Sequence, residues 1–158
     1  MSAIPAIRIE RARSTDIAAL SALLGQLFEI ESDFAADRTK QRRGLELLLA
    51  QPDDRAAVMV ARSVDETVIG MASAQIVVSS AEGAPSAWIE DVFVHDTRRG
   101  EGIGRLLLGE LLKWARARGA TRAQLLADQA NTLALGFYAH LGWRATQLSA
   151  WRLFVPGS

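Results

Sequence analysis

The sequence predicts an α+β fold in which a mostly antiparallel sheet is flanked by helices. Three observations predict it. Residues 56–94 hold three β-like runs with no helical run between them, so their strands should pair antiparallel. On either side, residues 17–28 and 103–118 repeat their apolar positions at helical spacing instead. Between the last of the three runs and the second helix lies a turn carrying Gly100, Gly102 and Gly104.

Residues 4–13 alternate, with Ile7 and Ile9 opposed to Arg8 and Glu10, as in a half-buried strand. Ser14 or Thr15 then caps a helix bearing Ile17, Leu20, Leu24, Leu27 and Phe28. An acidic stretch with Glu29, Glu31, Asp33 and Asp37 leads to a second helix of about ten residues, carrying Leu45, Leu47, Leu48 and Leu49 and closed by Pro52. Residues 56–63 and 67–80 read as strands joined at Asp65-Glu66, residues 81–86 as a loop, and residues 87–94 as a third strand. The helix over 103–118 sets Leu106, Leu107, Leu111 and Trp114 on one face and stops at Gly119. A short strand over 122–127, a helix over 131–141 and a β-rich segment over 143–155 complete the chain. The sum is roughly six to seven strands and about four helices.

With 158 residues, 1–158 is expected to be a single domain with room for a real core. The 18 Lys plus Arg balance the 18 Asp plus Glu, which removes the basic surplus that phosphate-neutralising nucleic-acid binding requires. The absence of Cys excludes disulfides, thiolate metal sites and a cysteine nucleophile. His95 and His140 lack metal-ligand spacing, so no metal is expected. No apolar stretch approaches a membrane span and the start lacks a signal pattern, so a soluble cytoplasmic protein is expected, with no membrane partner.

The segment 98–105, Arg-Arg-Gly-Glu-Gly-Ile-Gly-Arg, carries the chemistry. Its glycines let the backbone fold tightly and converge several N–H groups, and the next helix adds the positive end of its dipole. Such a turn suits a phosphate or pyrophosphate, assisted by Arg98, Arg99 and Arg105; a plain glycine-rich turn is the competing reading. It is not a P-loop, because Arg105-Leu106 stands where Lys and Ser or Thr are needed. Nor is it a dinucleotide fingerprint, since Arg105 takes the place of the last glycine and a meander precedes the turn.

Arg99-x-x-Gly102-x-Gly104, following the strand Trp88-Ile89-Glu90-Asp91-Val92-Phe93-Val94-His95, resembles the acetyl-CoA signature of the GNAT-type N-acetyltransferases. Downstream, Asn131, Ala134 and Phe137-Tyr138-Ala139-His140-Leu141-Gly142-Trp143 resemble the second cofactor motif of that superfamily, and the order of elements is similar over nearly the whole chain. Gly136 within the helix is a local departure.

The resemblance implies a GNAT-like domain with a mixed, mostly antiparallel sheet and a cofactor cleft where residues 87–94 and 122–127 splay apart. Backbone groups of Val92, Phe93 and Val94 would hold the pantetheine arm of acetyl-CoA as an added strand. The signature residue Arg99 and the N–H groups of Gly100, Glu101, Gly102, Ile103, Gly104 and Arg105 would hold the pyrophosphate. Asn131 would meet the pantetheine arm or the acceptor side. The acceptor amine attacks the thioester directly, in keeping with a chain that has neither Cys nor a Gly-x-Ser-x-Gly elbow.

Glu90 and Asp91 are two carboxylates in an apolar strand. Alternation sets Glu90 beside Trp88 and Val92, and Asp91 beside Ile89 and Phe93. Apolar surroundings raise a carboxyl pKa toward that of a useful general base, although either residue could equally serve donors at a strand irregularity. The resemblance favours Glu90 as the base, because members with a similar Ile-Glu-Asp strand place theirs there. Tyr138, the sole tyrosine, would protonate the departing thiolate, or else simply bury its ring. The leading reading is acetyl transfer from acetyl-CoA to a primary amine of a small molecule. Two others stand beside it: an acyl-CoA-binding module without catalysis, and an acetyltransferase for a protein or peptide amine. Homodimers are common among look-alikes.

Overall fold

The β-rich runs of the chain build one sheet whose strands lie side by side in sequence order. The computed structural model describes residues 6–31 and 35–157, so Ile4 and Asp33 lie outside the described residues. The sheet runs β1 (Arg8–Arg11), β2 (Ala56–Arg62), β3 (Val68–Ser79), β4 (Ala84–Val94) and β5 (Arg122–Leu125). The first four strands pair antiparallel and β5 lies parallel to β4, which makes the sheet mixed. Parallel neighbours need a crossover, and α3 (Ile103–Ala117) provides it.

The chain divides into two compact units, Met1–Leu125 and Leu126–Ser158. In the first, α1 (Ile17–Ile30) and α2 (Arg38–Ala50) cover one face of the sheet and α3 the other. Gly70 and Met71 mark the division. Met71 belongs to the core with Leu20, Leu24, Leu45 and Phe93, whereas a Cβ at Gly70 would meet Ile103 and Leu107 of α3 at 3.2–3.3 Å. Neighbouring residues of a strand point to opposite faces. β2 is buried along its whole length, as a strand covered on both sides must be.

Arg62 ties the start of α1 to the sheet. Its Nη1 and Nη2 donate to the two carboxylate oxygens of Asp16 at 2.8 and 2.6 Å, and its Nε donates to Glu10. That guanidinium holds the carboxyl of Asp16 below the usual range. The helix entry differs from expectation. Neither Ser14 nor Thr15 caps α1; residues 14–16 form a 3₁₀ turn, and Asp16 accepts the N–H of Arg13 at 2.8 Å. The second helix has 13 residues rather than about ten, and Asp37 caps it by accepting from the N–H of Lys40.

The second unit holds α4 (Thr132–His140) and an extended tail. The sheet has five strands, not six to seven, because no strand forms over 143–155 among the described residues. Alternation becomes a strand only where a neighbouring edge takes up the backbone groups. Here Trp151 stays 94% exposed and Phe154 85%. β5 likewise ends at Leu125 rather than Ala127, and β4 starts inside the expected 81–86 loop, at Ala84. No helix among the described residues is long and apolar enough to cross a membrane.

Candidate active site

The sheet stops being regular in the middle of β4. Ser73 pairs with Glu90 and Met71 with Phe93, so Ala72 alone faces both Asp91 and Val92. This β-bulge puts Asp91 at φ 56°, in the left-handed region that Asp enters more readily than most residues. Ser73 donates its hydroxyl to the carbonyl of Glu90 at 3.1 Å and so holds the bulge. The alternation expected through 90–93 is thereby broken: Glu90 and Phe93, three residues apart, share the face that α1 covers.

Pairing with β5 ends at Ile89 and Leu125. From Glu90 to Val94, β4 keeps β3 on one side and, among the described residues, has no strand on the other. The cleft implied by the resemblance corresponds to this one-sided stretch. Extended backbone without a strand neighbour can accept another extended chain. The buried side chain of Phe93 points into the core, so its backbone alone is available to a ligand.

The two carboxylates part company at the bulge. Glu90 is exposed, not buried among apolar side chains, and its Oε1 accepts the indole N–H of Trp88 at 2.6 Å. Asp91 is drawn inward; burial, then the nearby charges of Glu90 and Glu31, push its carboxyl up to about 7. The apolar surroundings anticipated for a carboxylate in this strand therefore fall on Asp91. Both residues line a groove of about 460 Å³ bounded by α1, α2 and strands β3 and β4.

The strand runs directly into the glycine turn. Residues 96–98 form a 3₁₀ turn, in which His95 Nδ1 accepts from the N–H of Thr97. Gly100 and Gly102 have φ of 82° and 80°, conformations that a β-carbon disfavours. A Cβ on either would meet no atom within 4 Å, so backbone conformation, not crowding, requires glycine there. Gly104 needs no such conformation and lies in the first turn of α3. Gly102 is the N-cap and has no side chain to offer the first-turn N–H groups, and Ile103 anchors the turn in the core. An uncapped N-terminus on a 15-residue helix is a fitting cradle for an anion.

The arginines are used unequally. Arg98 is paired with Glu101 at 2.8 Å. Arg99 donates its Nε to the carbonyl of Val94 at 3.2 Å and lies over the ring of Phe93 at 5.3 Å, which fastens the turn to the strand. Arg105 is exposed on the first turn of α3.

In the second unit Asn131 is the N-cap of α4 rather than its first helical residue, its Oδ1 accepting from the N–H of Ala134 at 3.1 Å. The ring of Tyr138 packs between Phe137 and Trp143, with centroids 5.3 and 5.9 Å away. Gly142 turns the chain with φ 95°, and the N–H of Trp143 returns to the carbonyl of Tyr138 at 3.0 Å. The Phe-Tyr-x-x-x-Gly-Trp pattern is thus an aromatic cluster closed by a helix cap. His140 is exposed. Among the described residues, no three potential metal ligands gather.

Sequence reasoning missed Ser73, the groove itself and Gln41. Gln41 is buried and donates to the carbonyl of Ser21 at 2.8 Å, fixing α2 against α1. Its signal was a lone amide on the inward side of a helix, which periodicity counts as merely polar.

The fold matches many solved structures. An aminoglycoside N-acetyltransferase in complex with CoA aligns over 98% of each chain, with a TM-score of 0.81 and 20% identity. A transcriptional regulator from Bacillus halodurans matches at TM-score 0.81 and 24% identity, over 94% of this chain and 99% of that one. Glucosamine-6-phosphate N-acetyltransferase from Arabidopsis thaliana matches at TM-score 0.73 and 20% identity, over the same shares. Among curated proteins, none matches the sequence. A family model described as acetyltransferase (GNAT) family covers residues 23–143, a span that takes in the bulged strand, the glycine turn and the aromatic cluster. The chain belongs to the GNAT acetyltransferase family.

Proposed function

We propose that the chain, acting as one 1–158 domain, moves the acetyl group of acetyl-CoA directly to a primary amine of a small molecule. The observation that carries this reading is the continuity of the bulged, one-sided end of β4 with the Gly100–Gly102 turn and the start of α3. That continuity offers a thioester ligand an open strand edge for its amide-rich arm and uncapped N–H groups for its pyrophosphate. Val92 to Val94 serve the arm; Arg99 and residues 100–105 serve the phosphates. The carbonyl oxygen of Asn131 is committed to the helix cap, so its amide NH₂ is the part that serves the ligand.

Acetyl-CoA supplies an acyl group already activated for attack. Glu90, exposed and fixed by the indole of Trp88, takes the proton of the acceptor nitrogen directly or through water. The nitrogen bonds to the acetyl carbon, the carbon–sulfur bond breaks, and the phenol of Tyr138 gives its proton to the sulfur. A cytoplasmic location and a homodimer complete the proposal. The test is CoA release with a panel of amines. Glu90→Gln and Tyr138→Phe should each lower turnover by roughly 10²–10⁴ while acetyl-CoA affinity holds. Full turnover by Tyr138→Phe, with chemistry limiting the rate, would remove the acid from its role.

A further inference from the structure

We infer that the groove between α1, α2 and the bulge of β4 is the acceptor subsite, and that it takes a cationic amine with an apolar carbon body rather than a phosphorylated or carboxylated one. The inference rests on the acetyltransferase reading and adds the chemistry of the acceptor.

At about 460 Å³ the groove falls in the range of small-molecule sites, roughly 300–1,000 Å³. Leu24 and Phe28 of α1 and Leu45 and Leu48 of α2 form apolar walls, while Glu90 and Asp91 sit on the strand below. Among the described residues, three lining carboxylates, Asp37, Glu90 and Asp91, stand against one lining cation, Lys40. Asp37 is occupied with the cap of α2, so the two β4 carboxylates form the acidic end that an ammonium would meet. Among the described residues, no arginine lines the groove. The start of α2, the backbone element nearby that could attract an anion, already holds the Asp37 carboxylate. A phosphate or carboxylate on the acceptor would thus find repulsion and little to bind it.

Gly44 gives the groove its width. It lines the space from mid-helix, and a Cβ placed there would meet nothing within 4 Å. Glycine inside a helix costs about 1 kcal/mol relative to alanine, so packing gains nothing from the bare position, whereas the groove gains volume.

The test uses the full chain and CoA release, comparing phenethylamine and hexylamine with glucosamine 6-phosphate, beside a thermal-shift titration with acetyl-CoA. The apolar amines should show kcat/KM at least about tenfold higher. Gly44→Phe fills the groove and should raise KM for phenethylamine about tenfold, with acetyl-CoA affinity unchanged. Gln75→Lys adds a cation to the groove lining and should weaken both apolar amines while improving the phosphorylated one. A preference of the unaltered protein for glucosamine 6-phosphate overturns the inference and leaves the acetyltransferase reading standing. So does an unchanged phenethylamine KM in both variants. Failure of the unaltered protein to bind acetyl-CoA overturns both.

Discussion

The two halves of β4 obey different rules. From Ser86 to Ile89 the strand is paired on both sides, with β3 antiparallel and β5 parallel, and its register is regular. From Glu90 to Val94 it has one strand neighbour, a bulge, a residue at positive φ and a carboxyl raised to about 7. The first half is framework; the second offers the open backbone edge and the exposed Glu90 carboxylate that the proposed chemistry uses. Irregularity is thus concentrated where the sheet has already satisfied most of its packing, and the adjoining regular half makes it tolerable.

The sharpest way to test this division is to damage the regular half. Ile89 is 1% exposed, and Ile89→Ala should cost roughly 2–5 kcal/mol in denaturant unfolding, with acetyl-CoA affinity kept by the molecules that fold. Comparable stability in Ile89→Ala and the unaltered protein would erase the distinction. Beyond the irregular half, Gly102→Val should act the opposite way. Its φ of 80° is strained for valine, so the turn should shift and acetyl-CoA affinity fall about tenfold, near 1.4 kcal/mol, while the fold survives. Titration calorimetry with acetyl-CoA reads this directly.

The smallest effect concerns Asp91. Its folded carboxyl sits at about 7, above the 3.8 of an ordinary aspartate, so the folded state holds its proton more tightly than the unfolded chain does. Stability should therefore fall as pH rises from about 4 through 7 and level off above that window. Glu90 and Glu31 add to the penalty by repulsion. Asp91→Asn keeps a residue that accepts positive φ and removes the charge. Relative to the unaltered protein it should gain on the order of 1 kcal/mol at pH 8 and little at pH 4. A pH-independent difference in thermal unfolding would show that Asp91 ionises freely.

What the sequence made legible divides along the same line. The turn of Gly100 and Gly102 was readable because left-handed backbone is a local requirement that glycine meets. The strands of the meander were readable because Val68, Ile69, Ile76, Val77 and Val78 fall in β-like runs with no helical run between them. The bulge was not, since it depends on Ala72 of one strand meeting two residues of another, and Ser73 and Glu90 lie 17 positions apart. The apolar tail misled for a related reason: Trp151, Leu153, Phe154 and Val155 have the composition of a strand without forming one among the described residues. The groove was invisible because Gly44 contributes by what it lacks, and the acidic stretch drew attention to charges earlier in the chain instead.

The bulge also fixes how long β4 must be. With Asp91 removed, Glu90, Val92 and Phe93 would stand opposite Ser73, Ala72 and Met71 with no shift, and both faces of the sheet would stay as they are. Folding alone would be content with ten residues where β4 has 11. The surplus residue is a length the sheet does not need, and it is the one that brings a carboxyl to the groove. A deletion there would leave a tidier strand with less chemistry in it.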